Sequence, residues 1–326
     1  MIRAKITGTG SAVPEKVLTN FDLEKMVDTS DEWIVTRTGI RERRIASEGE
    51  FTSTFATAAA QKALEAAGVA AEEIDLIVTG TLTPDYPFPA TACLLQDNLK
   101  AVNAACFDLS AACSGFIYAL STADKYIRSG CAKKALVIGA EVLSRIVDWT
   151  DRNTCLLFGD GAGAVVLEAS DGESGILSTH MHSDGTHWDL LHQKGCGSRN
   201  PATQKNLDDR VMFISMQGNE VFKLAVRAMG EVALEALSAN GLTTEDVSLF
   251  IPHQANLRII DSVGKRLGIA AERTFVNLHR YGNTSAASIP IALDEAFRGG
   301  RIKDGDLVLL DAFGGGLTWG AAAIRW

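Results

Sequence analysis

Three side chains could carry covalent chemistry. Cys113 sits in "DLSAACSGF" (108–116), where nearly every neighbour is small, so a bulky thioester could reach its sulfur. A thiol is a soft nucleophile whose anion also leaves well, which suits acyl transfer. His253 follows the apolar run "VSLFIP", and Asn283 lies in "YGNTS". Imidazole and amide are hydrogen-bond donors that could face a developing oxyanion. Spacing alone also allows Cys113 to be a packing cysteine, the reading given to Cys93, Cys106, Cys131 and Cys155. His180, His182, His187 and His192 lie in a polar, loop-like stretch without ligand spacing.

The elements around Cys113 can be read directly. "AACFDL" has the pattern of a strand. "SGFIYALSTADKYIRSG" carries Phe116, Ile117, Leu120, Tyr126 and Ile127 at helical spacing and stops at Gly130. Cys113 then occupies a strand-to-helix elbow, where free N–H groups and the helix dipole favour a thiolate. An internal echo places the other two residues. "AAGVAAEEIDLIVTG" (66–80) and "ANGLTTEDVSLFIPH" (239–253) share a glycine, an acidic linker and an apolar run. "CFDLSAACSGF" matches "FVNLHRYGNTS", and "KALVIGAEV" matches "DLVLLDAFG". The offset of roughly 170 positions implies a duplicated αβ unit. Its short apolar runs read as strands buried on both faces. The boundary falls in "EASDGESG" (168–175), giving halves 1–172 and 173–326. Equivalent strand ends then bring Cys113, His253 and Asn283 to one seam. His279, at the end of its own strand, competes but matches Ser110, off the elbow.

Composition bounds the function. The 326 residues are 46% hydrophobic and 22% charged, in keeping with a soluble chain. A net charge of −9 argues against a general nucleic-acid binder. "MIRAKITGTGSAVPEK" has no continuous apolar segment, so no secretory signal is expected. No apolar run reaches the ~18 residues of a membrane span. Six scattered cysteines without a C-x-x-C pair suit a reducing cytoplasm. "GTGSAV" and "GDGAGAV" miss the dinucleotide fingerprint and read as turns and packing glycines.

Taken together, "DLSAACSGF", "PHQANLRII", "HRYGNTSAASIP" and "AFGGGLTWG" resemble the β-ketoacyl-acyl carrier protein synthase III family, within the thiolase superfamily. The resemblance runs from "TGTGSAVPEK" to "WGAAAIRW". It implies a five-layered αβαβα thiolase-like fold of two duplicated halves, a homodimer, and a Cys113–His253–Asn283 triad. It also implies an oxyanion hole from the N–H groups of Cys113 and Gly316. "DAFGGGLTWG" lacks the second cysteine of a biosynthetic thiolase, and Asn283 stands where elongating synthases carry a second histidine.

The reaction so implied is decarboxylative condensation of acetyl-CoA, or another short acyl-CoA, with malonyl-acyl carrier protein. No cofactor or metal is expected, since CoA and the carrier's phosphopantetheine are substrates. Trp33, Arg37 and Arg152 would hold the CoA nucleotide, with Asn219, Phe222 and Asn256 along the pantetheine tunnel. Gln254, Arg258 and Lys265 would dock the acidic carrier protein. Phe88 in "PDYPFPATAC" would close the partner's acyl pocket, restricting it to short primers. A CoA-primed polyketide- or quinolone-type synthase is the neighbouring reading. A cysteine acyltransferase or thioesterase without condensation is a more distant one. The segment 192–210 has no assigned role.

Overall fold

The computed structural model describes residues 2–326. Nine strands form two sheets. The first contains β1 (Arg3–Ala12), β2 (Leu76–Gly80), β3 (Ala105–Leu109), β4 (Lys134–Glu141) and β5 (Gly161–Ser170), in the order β1-β5-β4-β2-β3. The second contains β6 (Gly175–Ser183), β7 (Leu249–Pro252), β8 (Leu307–Gly314) and β9 (Thr318–Arg325), in the order β7-β8-β9-β6. In the first sheet β2 pairs in parallel with both β3 and β4, and β5 pairs antiparallel with β4 and β1. In the second the edge pair β7–β8 is parallel, and β9 pairs antiparallel with β8 and β6.

Six helices complete the layers: α1 (Thr52–Ala67), α2 (Thr91–Leu99), α3 (Gly115–Arg128), α4 (Gly218–Ser238), α5 (Leu257–Leu267) and α6 (Ser288–Arg298). Alternation along the strands explains their arrangement. Val78 and Val137 face inward with Phe116 and Leu120 of α3 and Ile289 and Leu293 of α6. Ile77, Leu136 and Ile138 face outward against Phe55 of α1 and Leu95 of α2. Phe250 and Leu309 of the second sheet likewise pack against Val232 of α4 and Val263 of α5. The layers therefore run αβαβα, with α3 and α6 buried between two sheets. Strands covered on both sides read as nearly continuous apolar runs, as β2, β4 and β8 do, with Thr79, Glu141 and Asp311 as buried exceptions.

The duplication is visible in the element order: α1, β2, α2, α3, β4 and β5 recur as α4, β7, α5, α6, β8 and β9. It fails at one place. The counterpart of β3 is reduced to a single bridge between Phe250 and Thr274, followed by a short helix over Leu278–Tyr281. His279 therefore lies in a helical turn and not at a strand end. His180 and His182, read as loop residues, lie on β6, where both bond to Glu235.

Close packing joins the halves. A Cβ at Gly139 on β4 would lie 2.2 Å from Ala286 O, so only glycine lets the segment before α6 approach this strand.

Candidate active site

The chain leaves β3 at Leu109 and turns through Ala111–Ser114 before α3 begins. Ala112 takes a left-handed φ of 46°, unusual without glycine, and Cys113 follows it, buried at the helix start. Two hydrogen bonds fasten this elbow to the glycine loop. Ser114 Oγ donates to Thr318 O at 2.9 Å, and Thr318 Oγ1 donates to Ala111 O at 2.9 Å. A Cβ at Gly314 would come within 2.6 Å of Cys113 N, so the glycine run does permit close approach. Two effects oppose each other at the sulfur: the helix terminus favours a thiolate, and burial disfavours it. Burial pushes the thiol up to about 12, against a lowering by the Ser285 hydroxyl. The elbow thus holds a protonated thiol at neutral pH, contrary to the expectation from the dipole alone.

His253 follows β7 directly, and its N–H donates to Asp311 O at 2.7 Å. Its Nδ1 lies 2.6 Å from Ser288 Oγ. Burial lowers the imidazole to about 3, so it stays neutral. Asn283 is oriented by its neighbour: Oδ1 accepts the Ser285 N–H at 2.8 Å. A backbone N–H can only donate, which fixes the amide and leaves Nδ2 as the group available to a ligand. Ser285 repeats the left-handed turn of Ala112, with φ 48°, at the equivalent point before α6.

Cys113, His253 and Asn283 line one cavity of about 710 Å³. Trp33, Arg37, Asn219, Phe222, Asn256 and Arg258 border the same cavity. Arg152 reaches it indirectly, its guanidinium 4.5 Å above the Trp33 ring, while Arg37 lies 5.7 Å from that ring. Asn256 is engaged at both ends, capping α5 through the Arg258 N–H and donating to Arg37 O. A second cavity of about 270 Å³ meets Cys113 from the other side. Leu82, Leu143, Ile146, Phe158 and Ile214 make it apolar. Leu191 borders both cavities, on a short strand Leu191–Gln193 that pairs with Ile214–Met216. The beginning of the 192–210 segment, His192 and Gln193, thereby acquires a place in the wall of the smaller cavity.

Two expectations change. Gln254 is buried, its amide donating to Pro252 O and Phe275 O and accepting from Asn277 N–H, so it belongs to the core and to no docking face. Gly316 borders neither cavity; Gly315 borders the smaller one beside Cys113, and a Cβ on Gly316 would meet only Thr318. Phe88 is 85% exposed and lines neither cavity within a single chain. Arg258 and Lys265 are both exposed on α5.

Ser285, Ser288 and Glu141 carry no local sequence signal that marks them. The two serines lie in "HRYGNTSAASIP", beside His279 and Asn283. Glu141 ends β4 fully buried. Its carboxylate accepts from Thr81 Oγ1, Leu82 N, Thr83 N and Thr83 Oγ1, at 2.6–3.3 Å. Burial nevertheless raises it to about 7, against those donors, and its charge raises the Cys113 thiol further. Nothing in an isolated "GAEV" announces such an environment.

Similarity to known proteins agrees with this geometry. Residues 107–185 match the family described as 3-oxoacyl-[acyl-carrier-protein] synthase III, and residues 237–326 match its C-terminal family. A β-ketoacyl-[acyl-carrier-protein] synthase III of Xanthomonas campestris pv. campestris is 58% identical over 325 residues, covering 100% of this chain and 99% of that protein. The crystal structure of the 3-oxoacyl-[acyl-carrier-protein] synthase III of Aquifex aeolicus superposes with a TM-score of 0.93 at 57% identity, over 99% of this chain and 100% of that one. The structure of the β-ketoacyl-[acyl carrier protein] synthase III of Thermus thermophilus gives a TM-score of 0.93 at 49% identity, over 99% of each chain. With its thiolase-like fold, the chain belongs to the β-ketoacyl-acyl carrier protein synthase III family, the condensing enzymes that initiate fatty-acid synthesis.

Proposed function

We propose that the chain condenses acetyl-CoA, or a similarly short acyl-CoA, with malonyl-acyl carrier protein to give acetoacetyl-acyl carrier protein, CO2 and CoA. The observation that carries this reading is the convergence of Cys113, His253 and Asn283 on one cavity, with Asn283 oriented to donate. Cys113 Sγ attacks the acetyl carbonyl, the C–S bond to CoA breaks, and the cysteine's proton ends on the departing CoA sulfur. The exchange therefore needs no net base, which suits a protonated thiol beside a neutral imidazole. The N–H groups of Cys113 and Gly315 are the candidate oxyanion donors, replacing the Gly316 assignment. The smaller apolar cavity takes the acetyl group.

In the second half-reaction the malonyl thioester loses CO2, its carbanion attacks the acetyl carbon as the bond to Cys113 breaks, and the released thiolate takes a proton from solvent. Nε2 of His253 and Nδ2 of Asn283 stabilise the enolate oxygen. Trp33, Arg37 and Arg152 hold the nucleotide, with Asn219, Phe222 and Asn256 along the pantetheine arm. Arg258 and Lys265 on α5 receive the acidic carrier protein. The protein works as a cytoplasmic homodimer, with the exposed Tyr86 and Phe88 covered by the second copy. Intact mass after incubation with acetyl-CoA alone tests the first step. A single acetyl adduct, lost in Cys113→Ser, is the expected result, and an adduct on another cysteine overturns the assignment.

A further inference from the structure

We infer that Ser288 fixes the tautomer of His253, holding its proton on Nε2. Ser288 opens α6 and is buried, as are His253 and Gln254. Its Oγ lies 2.6 Å from His253 Nδ1 and 3.3 Å from Gln254 N. The Gln254 amide can only donate, so the serine oxygen accepts there. That leaves the hydroxyl with one hydrogen to place. Among the described residues, His253 Nδ1 is the only other hydrogen-bond partner of this hydroxyl. The hydrogen therefore goes to Nδ1, which must be the unprotonated nitrogen.

A neutral imidazole has one N–H, and with Nδ1 accepting it sits on Nε2. The burial of the ring supports a neutral form. Resting on the reading that His253 donates to the enolate, the assignment explains how a histidine serves as donor without being charged. In the opposite tautomer Nε2 would present a lone pair to the developing anion, and the interaction would change sign. Ser288 is thus a positioning residue. It does for His253 what the Ser285 N–H does for Asn283. One six-residue stretch, "NTSAAS", would orient both donors.

The test uses the full-length protein carrying ¹⁵N-labelled histidine, with imidazole ¹⁵N shifts read at neutral pH. The expected spectrum assigns His253 a protonated Nε2 and an unprotonated Nδ1. A protonated Nδ1 in the unmodified protein overturns the inference outright. Ser288→Ala should shift His253 toward the Nδ1–H form. It should slow decarboxylation of the malonyl thioester roughly 10²-fold, the scale for one lost oxyanion donor. The loss should fall on kcat rather than KM, with a smaller effect on Cys113 acetylation. Ser288→Thr keeps the hydroxyl and should restore both the tautomer and the rate. An unchanged tautomer in Ser288→Ala sinks the inference whatever the activity. If His253→Ala decarboxylates normally, it is the role of His253 that fails, and the tautomer result stands apart from it.

Discussion

Asn283 forms a parallel bridge with Phe158, so the C-terminal half's amide is held in register by the N-terminal half. Its N–H donates to Leu157 O at 2.8 Å, and its C=O accepts the Gly159 N–H at 3.0 Å. Both bonds are backbone bonds and survive a side-chain change. Asn283→Ala should therefore fold, losing about 1–2 kcal/mol because the Ser285 N–H is left without its acceptor. Malonyl decarboxylation should fall about 10²-fold or more, the scale for one lost oxyanion donor. Thermal melts and release of labelled CO2 check the two halves of this prediction. Near-normal decarboxylation would remove Asn283 from the enolate site.

The resting thiol gives a pH prediction. With Cys113 pushed up to about 12 by burial, its alkylation by iodoacetamide should still be rising with pH beyond 9. At pH 8 it should lag behind the exposed Cys131 and Cys196. Peptide-resolved mass spectrometry over a pH series would follow each cysteine separately. A plateau near pH 7 would show that the helix terminus outweighs burial.

Glu141 makes stability depend on pH. Its folded value, about 7, lies above the ordinary 4.5. Between those values the native state keeps a proton that the unfolded chain gives up, so stability declines as pH rises through this window. Below 4.5 its contribution is fully present. At about 1.4 kcal/mol per pH unit the loss is of order 3 kcal/mol. Asp311, fully buried on β8, is also raised by burial and acts in the same direction. Denaturant melts at pH 5 and pH 8 should show a larger difference for the unmodified protein than for Glu141→Gln. Equal slopes would mean that Glu141 is ionised throughout.

Trp33 should matter for nucleotide binding and little for chemistry. Trp33→Ala is expected to raise KM for acetyl-CoA about 10-fold, with a smaller change in kcat. A truncated acetyl-pantetheine, which has no adenine, serves as control. An equal rise in KM for the truncated thioester would place Trp33 elsewhere.

Phe88→Thr probes the second copy. Because the ring is exposed in one chain, its removal should leave the single-chain fold intact. If the partner's ring closes the acyl cavity, the variant should accept isobutyryl-CoA better by about 1–3 kcal/mol relative to acetyl-CoA. Turnover with a primer panel measures this. Equal use of both primers by the unmodified protein would exclude Phe88 as a size filter.

The repeat made most of the fold legible, because "IDLIVTG" and "VSLFIPH" repeat both composition and position. It misled at the partner of β3, where "RTFVNLHRY" resembles a strand but contributes only a bridge at Thr274. Strand propensity there yields to the turn that delivers Asn283. The three chemical side chains were legible for the same reason. Gln254 was not, since an amide beside an exposed helix reads as surface until its four backbone partners are known. Gly315 and Gly316 differ only by which one faces the thiol, a matter of backbone direction that a run of identical residues conceals. Ser288 and Glu141 act through contacts with residues far away in the chain, and no local pattern marks them.

The matching left-handed turns at Ala112 and Ser285 bear on how such an enzyme could have arisen. A doubled ancestral unit would have inherited two equivalent elbows, each able to present a side chain at the start of a buried helix. One presents a sulfur beside two open cavities. The other presents Ala286, whose side chain packs close to Gly115 and whose carbonyl packs close to Gly139. The second elbow thus lost any prospect of being a nucleophile, and its backbone became free to aim its neighbours at the first. Specialisation of twin copies, more than invention of new parts, is enough to account for a site in which one half reacts and the other instructs.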